Sequence, residues 1–313
     1  MTRTAPKAFA LRAASLALTL ALLLGLLVVP VSAAPRPADT TQGYYSVISK
    51  TEYAVAPGVK ETDLLLNSTK GTEQNKGFML EIDPKNPNIA LKACYKNYDG
   101  SAWGMQTPTL QAAAAEKKLK QTNENANVVG VINTSFFNMS TGEPNGLLVM
   151  NGKTWHENAG GWGYVAVTAD GSVEICDGSM QPPANTVEAT SGREILVWDS
   201  ELRVTPDNDP DRVPRAGIGT KADGTVVLFV ADGRQAPVSV GMSVRELAET
   251  MLDLGCVKAL NLDGGGSATL MTEREGTGVL SIKNTPSDGY ERSVSSTLLV
   301  VSTAKPSGEF DHA

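Results

Sequence analysis

The 313-residue chain has only two histidines, His156 and His312, and the second is the penultimate residue. A mechanism resting on several histidines is therefore excluded, as is a histidine-built metal centre. Cysteine is also scarce. Cys94, Cys176 and Cys256 are odd in number and far apart, so neither a disulfide framework nor a zinc spacing is present. At most one bridge could form, and buried free thiols are an equal expectation. Basic charge is in deficit, with 27 Lys and Arg against 34 Asp and Glu, a net charge of −7. An acidic protein makes a poor general nucleic-acid binder. No cofactor is implied.

What the chain does have begins with Arg3, Lys7 and Arg12, an apolar run over 16–29, and small residues at Val31-Ser32-Ala33-Ala34. This is the layout of a secretory signal peptide over 1–33. The run is short for a membrane span, so the expectation is an exported mature form without a membrane anchor. Loss of the three basic residues would make the mature chain still more acidic. Residues 34–59 read as an N-terminal leader or extension, weakly strand-like from 44 onward. Residues 303–313 read as a flexible tail. The stretch 60–302 shows no internal repeat or linker and is expected to form a single domain.

Two helices are marked. Thr107 is an N-cap with Pro108 at the first helical position, ahead of an alanine-rich body to 120. Ser243 and Glu246 form a capping-box pattern, Val244, Leu247, Ala248, Met251 and Leu252 make one apolar face, and Gly255 is a stop. Strand patterns are expected near 64–66, 77–82, 89–95, 128–132, 146–150, 163–168, 172–176, 194–197, 225–231, 257–262 and 295–301. The total predicts an α+β fold: mixed, largely antiparallel sheets with packed helices.

Chemistry concentrates where strands end in polar or small residues. Asn261-Leu262-Asp263-Gly264-Gly265-Gly266-Ser267 places a carboxylate before three glycines and a hydroxyl. Glycines allow positive φ and close backbone approach, and successive N–H groups in such a turn can cradle an anion. Read alone, the segment is also an ordinary turn after a strand. Asn133-Thr134-Ser135-Phe136-Phe137 offers amides for hydroxyls and rings for sugar faces, or simply a strand end with core phenylalanines. Glu143 lies in a turn as an acid/base candidate. Arg215, among small residues, offers a fork of donors suited to phosphate. Asp232 and Arg234 form a carboxylate–guanidinium pair near a strand end, and Arg292 follows in a Glu-Arg-Ser context.

In this order the segments Val131-Ile132-Asn133-Thr134-Ser135-Phe136-Phe137, Pro144-Asn145-Gly146, Arg215-Ala216-Gly217-Ile218-Gly219, Ala231-Asp232-Gly233-Arg234 and Asn261-Leu262-Asp263-Gly264-Gly265-Gly266-Ser267 resemble the phosphodiester glycosidase family. The resemblance covers about 60–302. It departs at Thr134-Ser135, where the family usually carries glycine or another small residue after the asparagine. It implies hydrolysis of an N-acetylglucosamine-1-phosphodiester-type bond at the anomeric C–O; for an exported protein with this chemistry a cell-wall or exopolysaccharide phosphodiester is the expected source. By that resemblance Asp263 or Asp232 is nucleophile or base. Asn133 binds sugar or orients the carboxylate, and Arg215, Arg234 and Gly264, Gly265, Gly266 and Ser267 hold phosphate. Phe137, Glu143, Asn261 and Arg292 are secondary candidates. Two alternatives stand beside it: a polysaccharide-binding module without catalysis, and a phosphodiesterase cutting P–O with a divalent cation on Asp232 and Asp263.

Overall fold

The computed structural model describes residues 44–305 apart from 70, 206–208 and 275–276. The expected signal peptide and the last eight residues of the tail lie outside the described residues. No described helix is long and apolar enough to cross a membrane.

Three antiparallel sheets make the domain. The largest has eight strands in the order β1 (Tyr45–Ala56), β2 (Val59–Ser68), β3 (Gln74–Ile82), β14 (Val226–Ala231), β13 (Arg215–Lys221), β15 (Cys256–Leu262), β11 (Ile195–Trp198) and β12 (Glu201–Leu202). A second runs β17 (Leu280–Ile282), β16 (Leu270–Glu273), β5 (Asn127–Asn133), β18 (Ser296–Ser302) and β4 (Ile89–Tyr95). The third runs β7 (Lys153–His156), β6 (Leu148–Met150), β10 (Thr186–Ser191), β8 (Tyr164–Thr168) and β9 (Val173–Cys176).

The main core lies between the first two sheets. Leu80, Ile82, Leu228, Val230, Leu260 and Leu262 meet Leu91, Val129, Ile132, Leu270, Leu298 and Val300, and Val165, Val167 and Ile175 of the third sheet join them. Strands buried on both faces read as continuous apolar runs, as Val-Val-Leu-Phe-Val-Ala of β14 does, where every residue is buried. The outer faces are closed by one helix each. Helix α1 (Pro108–Leu119) lays Ala112 and Ala115 on the second sheet. Helix α2 (Val244–Asp253) lays Val244, Leu247, Ala248 and Met251 on the first. Full burial of side chains such as Leu247 and Met251 contributes roughly 1.5–3 kcal/mol each. The capping box forms as expected: Glu246 N–H donates to Ser243 Oγ at 3.1 Å, and Ser243 N–H to Glu246 Oε2 at 3.0 Å.

The fold expectation needs two corrections. Every strand pair among the described residues is antiparallel, not mixed. Helix among the described residues is limited to these two α-helices and short 3₁₀ turns, so the domain is mostly β. A strand pattern interrupted by glycines, Arg-Ala-Gly-Ile-Gly-Thr-Lys, forms β13 at the centre of the large sheet. There Gly219 leaves room for the Cys256 and Met251 side chains beneath α2. The residues expected as a weakly strand-like extension form β1, paired with β2 along its length. All three cysteines are buried and free, and burial pushes the Cys94 and Cys256 thiols up to about 12.

Candidate active site

Two neighbouring strands, one from each large sheet, end side by side. β15 ends at Leu262 and β5 at Asn133, and the chain beyond them is stitched together. Asp263 N–H donates to the Thr134 carbonyl at 2.8 Å. Asn133 Nδ2 donates to the Asp263 carbonyl at 2.6 Å, while Asn133 Oδ1 accepts from Thr269 N–H at 2.9 Å. Both ends of this fully buried amide are therefore engaged in the backbone on either side of the glycine turn. Asn133 orients the segment that carries Asp263; it does not face a ligand.

Asp263 is the carboxylate that reaches the surface, and only in part. Burial pushes its carboxyl up to about 6, against the Ser267 hydroxyl, the Arg292 charge and the Gly264 N–H, which each favour the ionised form. The glycines serve close approach. Gly265 takes φ +59 with the Arg234 guanidinium above it, 3.4 Å from where a Cβ would stand. A Cβ on Gly266 would collide with Arg292 Nη2 and Asp288 Oδ2. The turn is a less open anion cradle than the sequence implied, because Gly265 N–H is bonded to the Pro214 carbonyl and Ser267 N–H to that of Gly264. Positive charge here comes from Arg234 and Arg292. Arg292 is locked to Asp288 by Nε and Nη2 contacts of 2.9 and 2.6 Å, and its Nη1 lies 3.5 Å from Ser267 Oγ. Arg234 is exposed, reaches Ser287 Oγ at 3.5 Å, and holds a left-handed φ of +61, a conformation uncommon for a non-glycine residue.

Asp232 sits beneath this surface, fully buried. Its Oδ1 accepts from Thr285 N–H at 2.8 Å, and Oδ2 has no partner. Burial raises its carboxyl above the usual range. With Gln235 Nε2 donating to the Thr285 carbonyl at 2.9 Å, Asp232 anchors the loop that delivers Asp288 and Arg292. Arg215 is also turned away. Its Nε donates to the Met242 carbonyl, Nη1 to Asp209 and Nη2 to the Asp211 carbonyl, at 2.8–2.9 Å. Those contacts bind β13 to the loops before and after it.

The other candidates lie around the centre. Phe137 is core, bridged to Pro144. Glu143 pairs with His156 Nε2 at 3.6 Å, and His156 Nδ1 donates to the Gly146 carbonyl at 2.8 Å. Asn261 Nδ2 donates to Glu194 at 2.8 Å. Thr134 and Ser135 do not enter the pocket. They are buried with Thr190, Ser191 and Ser296 in a hydroxyl cluster whose members bond one another at 2.7–3.4 Å. Of the two rings expected to face a sugar, Phe136 forms a shelf with Trp162, 5.8 Å away and with Arg193 beside both; sequence reasoning missed Trp162 and Asp288. The spacing Asp288-x-x-x-Arg292 was the one available signal. Among the described residues no three His, Cys, Asp or Glu side chains converge as a metal site.

An antiparallel β-sandwich that sets a part-exposed carboxylate and two guanidiniums around a glycine turn has the charge to hold an anionic ligand. The phosphodiester glycosidase family model matches residues 126–301, and the chain belongs to that family. A SPbeta prophage-derived uncharacterized protein of Bacillus subtilis, YomE, is 32% identical over 176 residues, covering 51% of this chain and 26% of its own. The N-acetylglucosamine-1-phosphodiester alpha-N-acetylglucosaminidase of Mus musculus is 28% identical over 160 residues, covering 44% of this chain and 31% of its own. The chain thus spans about a quarter to a third of the length of these curated relatives. The catalytic domain of the zebrafish N-acetylglucosamine-1-phosphodiester alpha-N-acetylglucosaminidase, auto-inhibited by its pro-peptide, shares the fold with a TM-score of 0.60 over 81% of this chain and 88% of that one, at 20% identity.

Proposed function

We propose that the chain is an exported hydrolase of sugar-1-phosphodiesters, of the N-acetylglucosamine-1-phosphodiester type, that breaks the anomeric C–O bond. The products are a free sugar and a phosphomonoester. The observation that carries this is Asp263: a part-buried carboxylate with a raised pKa, flanked by Ser267 and Arg292 at a turn with no side chains to obstruct a ligand. A phosphate leaving group needs little protonation, so one carboxylate and a clamp for the phosphate meet the needs of an oxocarbenium-like transition state. Arg234 and Arg292 hold the phosphate. Asp263 either attacks C1 or takes the proton of the attacking water. Asp232 and Asn133 position these groups from below and touch no substrate.

The test is product analysis on methyl α-N-acetylglucosamine-1-phosphodiester in ¹⁸O-water. Free N-acetylglucosamine carrying the label, with methyl phosphate, is the expected outcome. Label in the phosphate means P–O cleavage and overturns the proposal. Absence of turnover across a panel of sugar-1-phosphodiesters, with measurable glycan binding, overturns it in favour of a binding module. The anomer first formed assigns Asp263: retention means attack on C1, and inversion means activation of water.

A further inference from the structure

Beside the aromatic shelf lies a cleft of about 560 Å³ between the edge of the large sheet and the third sheet, within the size range of small-ligand sites. Gly161, Gly178, Arg193, Glu194, Trp198 and Arg203 are among the residues that line it. Its carboxylates are engaged. Asp177 caps Ser179 through the N–H at 2.9 Å and the hydroxyl at 2.7 Å. Glu194 is held by Asn261 Nδ2 at 2.8 Å and Arg193 Nε at 3.0 Å. Its guanidiniums are only partly engaged. Among the described residues Arg203 has one ion-pair partner, Glu201, at 3.7 Å and itself 74% exposed, a pairing that water competes with easily. Arg193 is half exposed and contributes only Nε to its ion pair. Trp198 adds a part-buried ring with Lys258 Nζ 4.3 Å from its centre, and three glycines, Gly161, Gly163 and Gly178, line the cleft without side chains. Guanidinium forks with an indole face suit a phosphate joined to a sugar.

The cleft is tied to the candidate site through the backbone. Arg193 N–H donates to the Asn261 carbonyl at 2.8 Å, two residues before Asp263. The Arg193 guanidinium lies 5.8 Å from the Phe136 ring and 5.9 Å from that of Trp162. Phe136 in turn is two residues past Thr134, which bonds Asp263. In a chain of net charge −7, whose overall field repels polyanions, two available guanidiniums in one cleft are a local exception.

We infer that this cleft binds the next phosphosugar unit of a phosphodiester-linked glycan, so that the preferred substrate is an oligomer and not an isolated sugar-1-phosphodiester. The inference rests on the hydrolase reading above. Its test compares the wild type with Arg203→Gln on two substrates: methyl α-N-acetylglucosamine-1-phosphodiester and a trimer of α-N-acetylglucosamine-1-phosphate units. The wild type should cleave the trimer with the higher kcat/KM. Arg203→Gln should lower kcat/KM for the trimer about 5–10-fold through KM, equivalent to ~1 kcal/mol, and leave the methyl substrate unchanged. Equal wild-type kcat/KM for both substrates, or a trimer KM unmoved by Arg203→Gln, overturns the inference while the hydrolase reading stands. If the wild type cleaves neither substrate, the hydrolase reading fails, and calorimetric titration with the trimer decides the cleft separately. Binding weakened by Arg203→Gln and by Trp198→Phe supports it; binding unchanged in both overturns it.

Discussion

The Asn133 side chain bonds the Asp263 carbonyl with one end and Thr269 N–H with the other, so the last residue of one sheet's strand fixes the turn that leaves another's. The Asp263 carboxylate is left pointing out of a backbone that is held from both sides. Such a group is available for chemistry because its position does not depend on its own contacts.

Replacing that carboxylate separates activity from stability. Asp263→Asn should lower kcat about 10²–10⁴-fold, the range of a positioned acid–base or nucleophilic group. The same change should raise the melting temperature at pH 8. Its folded pKa of about 6 lies above the unfolded value of roughly 3.9, so the native state binds the proton more tightly. Stability is then highest below the unfolded pKa and falls as pH rises through the folded one. By pH 8 the ionised form weighs against the fold by ~1–3 kcal/mol. Calorimetry of both proteins at pH 4.5 and pH 8 checks this: the gap in melting temperature should open only at the higher pH.

The same raised pKa sets the acid limb of the pH profile. Hydrolysis needs Asp263 ionised, so kcat/KM should climb through about pH 6 and level off above it. Arg292 is one of the groups favouring the ionised form, so Arg292→Gln should move the limb to higher pH as well as raise KM. A limb near pH 4 in the wild type would remove Asp263 from the reacting position.

Gly266 tests the close approach directly. Any Cβ there runs into Arg292 Nη2 and Asp288 Oδ2, and these atoms form the ion pair that sets the Arg292 fork. Gly266→Ala should therefore shift the pair and cost about 10²-fold in kcat/KM, the scale of a misplacement near 1 Å. The melting temperature should change little, since Asp288 and Arg292 both keep partial exposure. Steady-state kinetics beside a thermal melt checks both halves.

Much of this was legible beforehand, and the failures have physical causes. The capping box at Ser243 and Glu246, the strand at 257–262 and the turn after it follow from local patterns. β13 did not look like a strand because glycines replaced the side chains that α2 would have displaced. The site was harder. Residue type marked Arg215 as a phosphate ligand, but its fork is closed on Met242, Asp209 and Asp211. Asp232 looked as reactive as Asp263 in sequence, and only burial separates them. Asp288 and the Phe136–Trp162 shelf depend on loops whose juxtaposition no local pattern encodes.

Arg215 and Arg274 extend that lesson to stability. Arg215→Lys should keep a near-normal KM while destabilising by about 2–4 kcal/mol, since a lysine cannot make the three separate guanidinium contacts. A large KM increase without loss of stability would return Arg215 to the phosphate. Arg274 gives the stronger case. Glu61 is fully buried and is held by Arg274 Nη2 at 2.6 Å, Lys283 at 3.4 Å and the Thr272 hydroxyl. Arg274 also lies 3.2 Å from the centre of the Tyr53 ring and 3.1 Å from Asp63. Arg274→Met keeps most of the packing over Tyr53 but removes the charge between two carboxylates. Asp63, which burial and Glu61 already push up to about 6, would then lose the cation that holds it down. The loss should approach the 3–5 kcal/mol of a broken buried pair, reduced by whatever Lys283 retains. It should also shrink as pH falls through about 6, where Asp63 takes up its proton and the repulsion between the carboxylates is relieved. Denaturant melts at pH 5 and pH 8 measure both quantities, and a loss equal at the two pH values would show that packing over Tyr53, not charge, was the function of Arg274.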